Sequence, residues 1–364
     1  MDCKSVDRLP NYEHGTWDQT TDRWENEGLE RNLLTWEWWL GEDYFNIDKR
    51  ANIDVDFGMT YLFDEEIIEE TDRYLTARNS MGVVTKSLKE GASKSGASAC
   101  MDQYISFPVT DAHNFHEFKK RYTSDLSYHI ADGWKNDLLP LWKNRSHVLS
   151  LGLWGSIPGF YWNARGWMGT ENICYAWYDQ PALMHEIMEF IADFTIEVAK
   201  PILAETGAEY VCLNEDYAMK TAPLLSPEQY KIFIFPHMRR LADFFKGSGI
   251  KYVFIDSDGD CDLLLPLMME AGVDGIMPLE RAAGMDPVKL RKKYGKSLKL
   301  LGGVDKRAVA KGKDAIEKHL TTLVSLIEEG GFIPTVDHLV SPDISLENFE
   351  YYMKRKIDLL NGKY

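Results

Sequence analysis

The stretch Lys251-Tyr-Val-Phe-Ile-Asp256-Ser257-Asp258-Gly259-Asp260-Cys261 joins an apolar run to two carboxylates spaced two residues apart, and Leu263-Leu-Leu-Pro-Leu-Met-Met follows with helical character. The run reads as a buried strand and Asp256-Ser-Asp258 as its exit. Where strands are parallel their exits share one face, and α/β proteins handle ions and small polar substrates there.

The same alternation recurs on either side. Tyr210-Val-Cys-Leu, Gly275-Ile-Met, Leu298-Lys-Leu-Leu and Gly331-Phe-Ile read as strands. Segments 227–246, 260–271, 286–294, 313–329 and 346–360 carry apolar residues at helical spacing. Ser226-Pro227-Glu-Gln229 and Ser345-Leu-Glu-Asn348 supply helix starts. Upstream, His147–Trp154 reads as another strand and 181–199 as a helix. Repeated βα units imply an α/β fold, a (β/α)8 TIM barrel over residues 1–364. An N-terminal helical cap is expected over 1–50 and a small inserted hairpin within 60–120, turning near Gly91–Gly96. Five of the eleven tryptophans fall between Trp17 and Trp39, either to anchor that cap or to wall a ligand pocket.

A formal charge of −16 repels phosphate backbones and anionic lipid heads, so nucleic acid and membrane partners are not expected. Five scattered cysteines without a C-x-x-C pair suit reduced thiols. No apolar run approaches a membrane span and the N-terminus has no signal-peptide core, so a cytoplasmic protein is expected. Dinucleotide, Walker-type and Gly-x-Ser-x-Gly motifs are absent; Gly302-Gly303 is a weak phosphate-loop candidate.

The strand exits gather Glu13-His14, Asn214-Glu215-Asp216, Asp256-Ser257-Asp258, Glu280, Asp305-Lys306 and Asp337-His338. Crowded carboxylates repel by about 4 kcal/mol per close pair at an effective dielectric near 20, which a divalent cation relieves. Asp256, Asp258 and His338 form a ligand set that zinc accepts with an open fourth position. Asp-x-Asp-Gly is equally a turn sequence, with Asp capping a helix and Gly259 at positive φ. Glu215 and Asp216 are candidates for substrate orientation or proton transfer. Glu13, His14, Asn214 and Trp154 are candidate substrate contacts.

Four runs carry a family resemblance: Asp256-Ser-Asp-Gly-Asp-Cys-x-x-Leu-Leu-Pro, Glu270-Ala-Gly-Val-Asp-Gly, Leu301-Gly-Gly-Val-Asp-Lys-Arg, and the stretch from Gly330-Gly-Phe-Ile-Pro-Thr-Val-Asp-His338 through Asn348. Together they resemble the uroporphyrinogen decarboxylase superfamily, built on a (β/α)8 barrel. One branch decarboxylates uroporphyrinogen without a cofactor; the other contains zinc-dependent methyltransferases that serve corrinoid proteins. In the second, zinc is held by a His-x-Cys pair and a later Cys, at the positions taken here by Asp256, Asp258 and His338. This departure from the family's thiolate ligands leaves a harder O,O,N set, with Glu280 as a candidate fourth ligand, better suited to polarising an ether or amine methyl donor. Its expected function is transfer of a methyl group from a small methylated substrate, such as a methoxylated aromatic, to a corrinoid protein. The alternative is a decarboxylase acting on a porphyrinogen or smaller acid, although no arginine follows Leu9-Pro-Asn-Tyr until Arg23.

Overall fold

The computed structural model describes residues 1–3, 8–36, 38, 40–89, 102–152 and 157–363. Twelve strands occur among them: β1 (Ala51–Ile53), β2 (Glu66–Glu70), β3 (Tyr74–Arg78), β4 (Val84–Leu88), β5 (Gln103–Ser106), β6 (Leu149–Leu151), β7 (Ile157–Pro158), β8 (Tyr210–Asn214), β9 (Tyr252–Asp256), β10 (Gly275–Met277), β11 (Lys299–Val304) and β12 (Phe332–Val336). A curled parallel sheet runs β1-β6-β8-β9-β10-β11-β12, with β7 extending the edge of β8. This is the expected TIM-barrel-like fold.

Period-two alternation explains the layering. Val211, Leu213, Val253, Ile255, Ile276 and Leu300 are all fully buried, while Cys212, Phe254, Met277 and Leu301 line the barrel interior. Between β12 and β1 the chain closes with an irregular segment, not a regular strand. Gly15 O accepts from Val340 N at 2.9 Å and Asn11 O from Asp48 N at 2.9 Å, so residues 11–17 bridge both sides.

Helix starts follow the sequence signals. Ser226 and Gln229 form a reciprocal capping box before Pro227–Gln229, and Ser345 Oγ accepts from Asn348 N ahead of the helix Leu346–Leu360. The helix expected at 181–199 runs Pro181–Thr206.

Two expectations change, the inserted hairpin and the phosphate loop. The insertion is an antiparallel sheet, β2-β3-β4-β5, where a single hairpin was expected; the turn expected at 91–96 lies outside the described residues. Near the N-terminus, Trp24 and Trp38 pack on Phe349 at 4.9 and 5.5 Å between ring centroids, as anchors; Trp39 lies outside the described residues. Gly302 sits inside β11 at φ +117°, where a Cβ would come 2.5 Å from Leu279 N, so Gly302-Gly303 serves close packing and no phosphate loop. Among the described residues no helix is long and apolar enough to cross a membrane.

Candidate active site at the barrel mouth

The turn after β9 is held open by glycine. Gly259 lies at φ +78°, as expected for the turn, and a Cβ there would meet Met219 O at 2.5 Å, but the helix that follows starts at Leu265 with no side-chain cap, so no Asp caps it. Around it the mouth is assembled by backbone contacts. Asp258 N donates to Asp216 Oδ1 at 3.2 Å and Gly259 N to Glu280 Oε2 at 2.9 Å. Across the mouth, His338 Nε2 lies 3.5 Å from Asp258 Oδ2. Asp216 adopts φ +46°, an unusual backbone state for a residue other than glycine, of a kind that clusters at functional sites.

Charge follows from this placement. Burial opposes protonation of His338, but direct contact with the Asp258 carboxylate and its charge outweigh that, raising the imidazole pKa above its ordinary value. Asp216 is also raised, by burial first and by Asp258 second. His14, buried nearby, is pushed well below the ordinary histidine range by desolvation and then by the His338 charge.

Two residues that the sequence did not single out, Arg165 and Trp162, reach the same place. Arg165 Nη2 lies 3.6 Å from Asp216 Oδ2, and its guanidinium carbon sits 4.7 Å from the Trp162 ring centroid. Both are carried by the helix Phe160–Met168, one turn apart, a spacing that marks one helix face. Trp17 stands 6.2 Å from the His338 ring. So the Trp-rich region supplies both anchors and one wall of the mouth.

Several expected site residues are placed elsewhere. Glu13 is fully enclosed by Lys356 Nζ, by Tyr352 Oη at 2.6 Å and by Val336 N at 2.9 Å, a wall position out of a substrate's reach. Glu215, also fully buried, accepts from Phe160 N at 2.9 Å and Tyr161 N at 2.8 Å, so its carboxylate fastens the start of the helix that carries Arg165. Desolvation raises it to about 7 against those hydrogen bonds. Asn214 pairs in register with Asp256 on β9 and Pro158 on β7. Trp154 lies outside the described residues.

The expected zinc ligands do not converge. Asp256 is buried near the Cys212 thiol, whose pKa burial first and the Asp256 charge second push up, and Glu280 is turned to the Gly259 amide. Among the described residues no group of three or more His, Cys, Asp or Glu side chains is arranged to hold a metal ion. Asp258 and His338 alone make a pair where the zinc reading needed a set.

Comparisons with known proteins agree with the architecture. A methyltransferase from Methanosarcina mazei superposes with a TM-score of 0.57 over 98% of this chain and 95% of its own, at 14% identity, which is a likeness of fold. The uroporphyrinogen decarboxylase of Hydrogenovibrio crunogenus is 25% identical over 187 residues, 50% of each chain, and that of Nocardia farcinica 27% over 173 residues, 46% of each. The chain spans about half the length of the curated relatives it matches. The description "Uroporphyrinogen decarboxylase (URO-D)" matches residues 162–356, more than half of the chain, and by that match the protein belongs to the uroporphyrinogen decarboxylase family.

Proposed function

We propose that the mouth catalyses methyl transfer from a small, neutral methoxylated aromatic to an acceptor held by a separate corrinoid protein. The observation that carries this reading is the Asp258–His338 pair, set in an acidic rim between Trp17 and Trp162. Aromatic walls suit a flat ring, and Asp216, Asp258 and Glu280 disfavour a substrate bearing many carboxylates.

The chain's own residues supply proton chemistry. As the methyl–oxygen bond breaks, the oxygen keeps the bonding pair and needs a proton, which His338 Nε2–H delivers. At 3.5 Å Asp258 is close enough to hold the ring charged but too distant for a strong hydrogen bond, so the proton stays transferable. Arg165, stacked on Trp162, orients a polar ring substituent. A corrinoid protein would supply the methyl acceptor, and no step is routed through zinc because its expected ligands do not fit.

The relatives' names favour a second reading, decarboxylation, in which the same imidazole would protonate the carbon left by departing CO2. One experiment separates the two. Wild-type protein is incubated with guaiacol and a reduced corrinoid protein, and in parallel with uroporphyrinogen. Catechol formation lost in His338→Ala supports methyl transfer; CO2 release from uroporphyrinogen without catechol formation overturns it.

A further inference from the structure

Lys306 stands among the strand-exit acids, and the proton chemistry described for the mouth leaves it unused. It follows the end of β11 by two residues, as His338 follows the end of β12 by two. Those strands pair in register from Leu300 with Phe332 to Val304 with Val336, and Asp337 N continues the ladder to Val304 O at 2.8 Å. Residues 306 and 338 therefore emerge side by side. Lys306 N donates to Asp337 Oδ1 at 3.1 Å, which fixes the lysine backbone beside the last strand exit.

Its charge is unmatched. Lys306 is half-buried, and its ammonium makes no ion pair or hydrogen bond among the described residues. Neighbouring cations are matched: Arg281 Nη1 lies 2.8 Å from Asp286 Oδ2, Arg307 Nη2 2.8 Å from Asp305 Oδ2 and Arg165 Nη2 3.6 Å from Asp216 Oδ2. Asp337 has both carboxylate oxygens engaged by backbone amides, Oδ2 by Arg281 N at 2.9 Å and Oδ1 by Lys306 N. A cation drawn partly out of water without a counter-charge carries a desolvation cost, and an anion brought to it offsets that cost.

The electrostatic neighbourhood agrees with the register. Burial comes first in opposing the charge on His338, and the Lys306 ammonium adds to it, so the ring holds its proton less firmly than Asp258 alone would make it. The two side chains thus offer one ligand atom a proton and a fixed positive charge. Asp216, Asp258 and Glu280 around them would repel a ligand with several anionic groups, so a single oxyanion is the charge that fits. A fixed cation is worth most where negative charge develops on a ligand already held in place.

We propose that Lys306 is an oxyanion-binding residue of the mouth, which takes the aryl oxygen of a phenol beside His338. Its part in turnover rests on the methyl-transfer reading. There the methyl–oxygen bond breaks, the oxygen keeps the bonding pair and receives the His338 proton, and Lys306 donates a hydrogen bond to that oxygen while keeping its own protons. Binding of a phenolate does not depend on that reading.

4-Nitrocatechol is the probe, because its ionised and neutral forms differ in visible absorption. It is titrated into the full chain in a buffer where the free probe is mostly neutral. Wild type should bind it with the band of the ionised form. Lys306→Met should weaken binding about tenfold, as for loss of one charged hydrogen bond, and return the band to the neutral form, while Lys306→Arg keeps the ionised band. No binding to folded wild type, a neutral band there, or an ionised band that survives in Lys306→Met would each overturn the proposal. In turnover, Lys306→Met should lower kcat/KM more for guaiacol than for 4-nitroguaiacol, whose oxygen stabilises its own charge; an equal loss on both would also overturn it. Wild type that binds the probe ionised through Lys306 but demethylates neither substrate upholds the site and sinks the methyl-transfer reading instead. If Lys306→Met fails to fold by circular dichroism, Lys306→Gln takes its place.

Discussion

Carboxylates at the strand exits fall into two groups that look alike in the sequence. In the barrel wall, Glu13 meets Lys356 and Tyr352, Glu215 meets two helix amides, and Asp337 accepts from Arg281 N and Lys306 N at 2.9 and 3.1 Å. At the mouth, Asp258 keeps 39% of its side chain exposed against 0% for Glu13 and Lys356, and its ion pair with His338 is long. A carboxylate with every acceptor filled holds the fold together. One that is half-solvated and loosely paired can exchange protons with a substrate.

That contrast is broken most directly from the wall. Lys356→Met leaves Glu13 buried without its cation and should destabilise the protein by about 3–5 kcal/mol, read as a loss of urea midpoint. An unchanged midpoint would mean that the wall is no firmer than the mouth. His338→Ala should do the reverse, lowering turnover by about 10²- to 10⁴-fold while the melting temperature stays near wild type.

The charge argument sets the pH dependence. His338 has a raised pKa in the folded protein, so its protonated form, and the ion pair's contribution to stability, are complete below the ordinary histidine range and are lost as pH rises through the raised value. Activity should fall along the same limb, and Asp258→Asn should move that limb to lower pH in a kcat/KM profile. A limb that stays in place would remove Asp258 from the mechanism.

Smaller effects sharpen the mouth itself. Arg165→Gln should raise KM about tenfold with kcat little changed, as for loss of one charged hydrogen bond to substrate. Asp256→Ala should leave the metal content of purified protein unchanged, measured by elemental analysis. Stoichiometric zinc that disappears in both Asp256→Ala and Asp258→Ala would show instead that these carboxylates converge.

Much of the scaffold was legible because local rules decide it. The continuous apolar run Tyr252-Val-Phe-Ile gave β9, and Ser226 with Gln229 gave a helix start, each from its own neighbours. The site was only half legible. Asp258, Asp216, Glu280 and His338 were found from their positions after strands, but Arg165 and Trp162 sit on a helix whose face toward the mouth depends on Glu215 beneath its first turn. Their one signal was the i, i+3 spacing of a tryptophan and an arginine soon after a strand exit.

By itself, then, the sequence determined a parallel α/β barrel and an acidic mouth, because strand period and exit position are fixed within a few residues of chain. Only the tertiary structure decided which acids face water. Asp256 and Asp258 are two residues apart, yet one is enclosed and the other pairs with His338. The difference lies in neighbours brought from distant parts of the chain, Cys212 near Asp256 and His338 beside Asp258, and long-range contacts of that kind leave no local pattern to read.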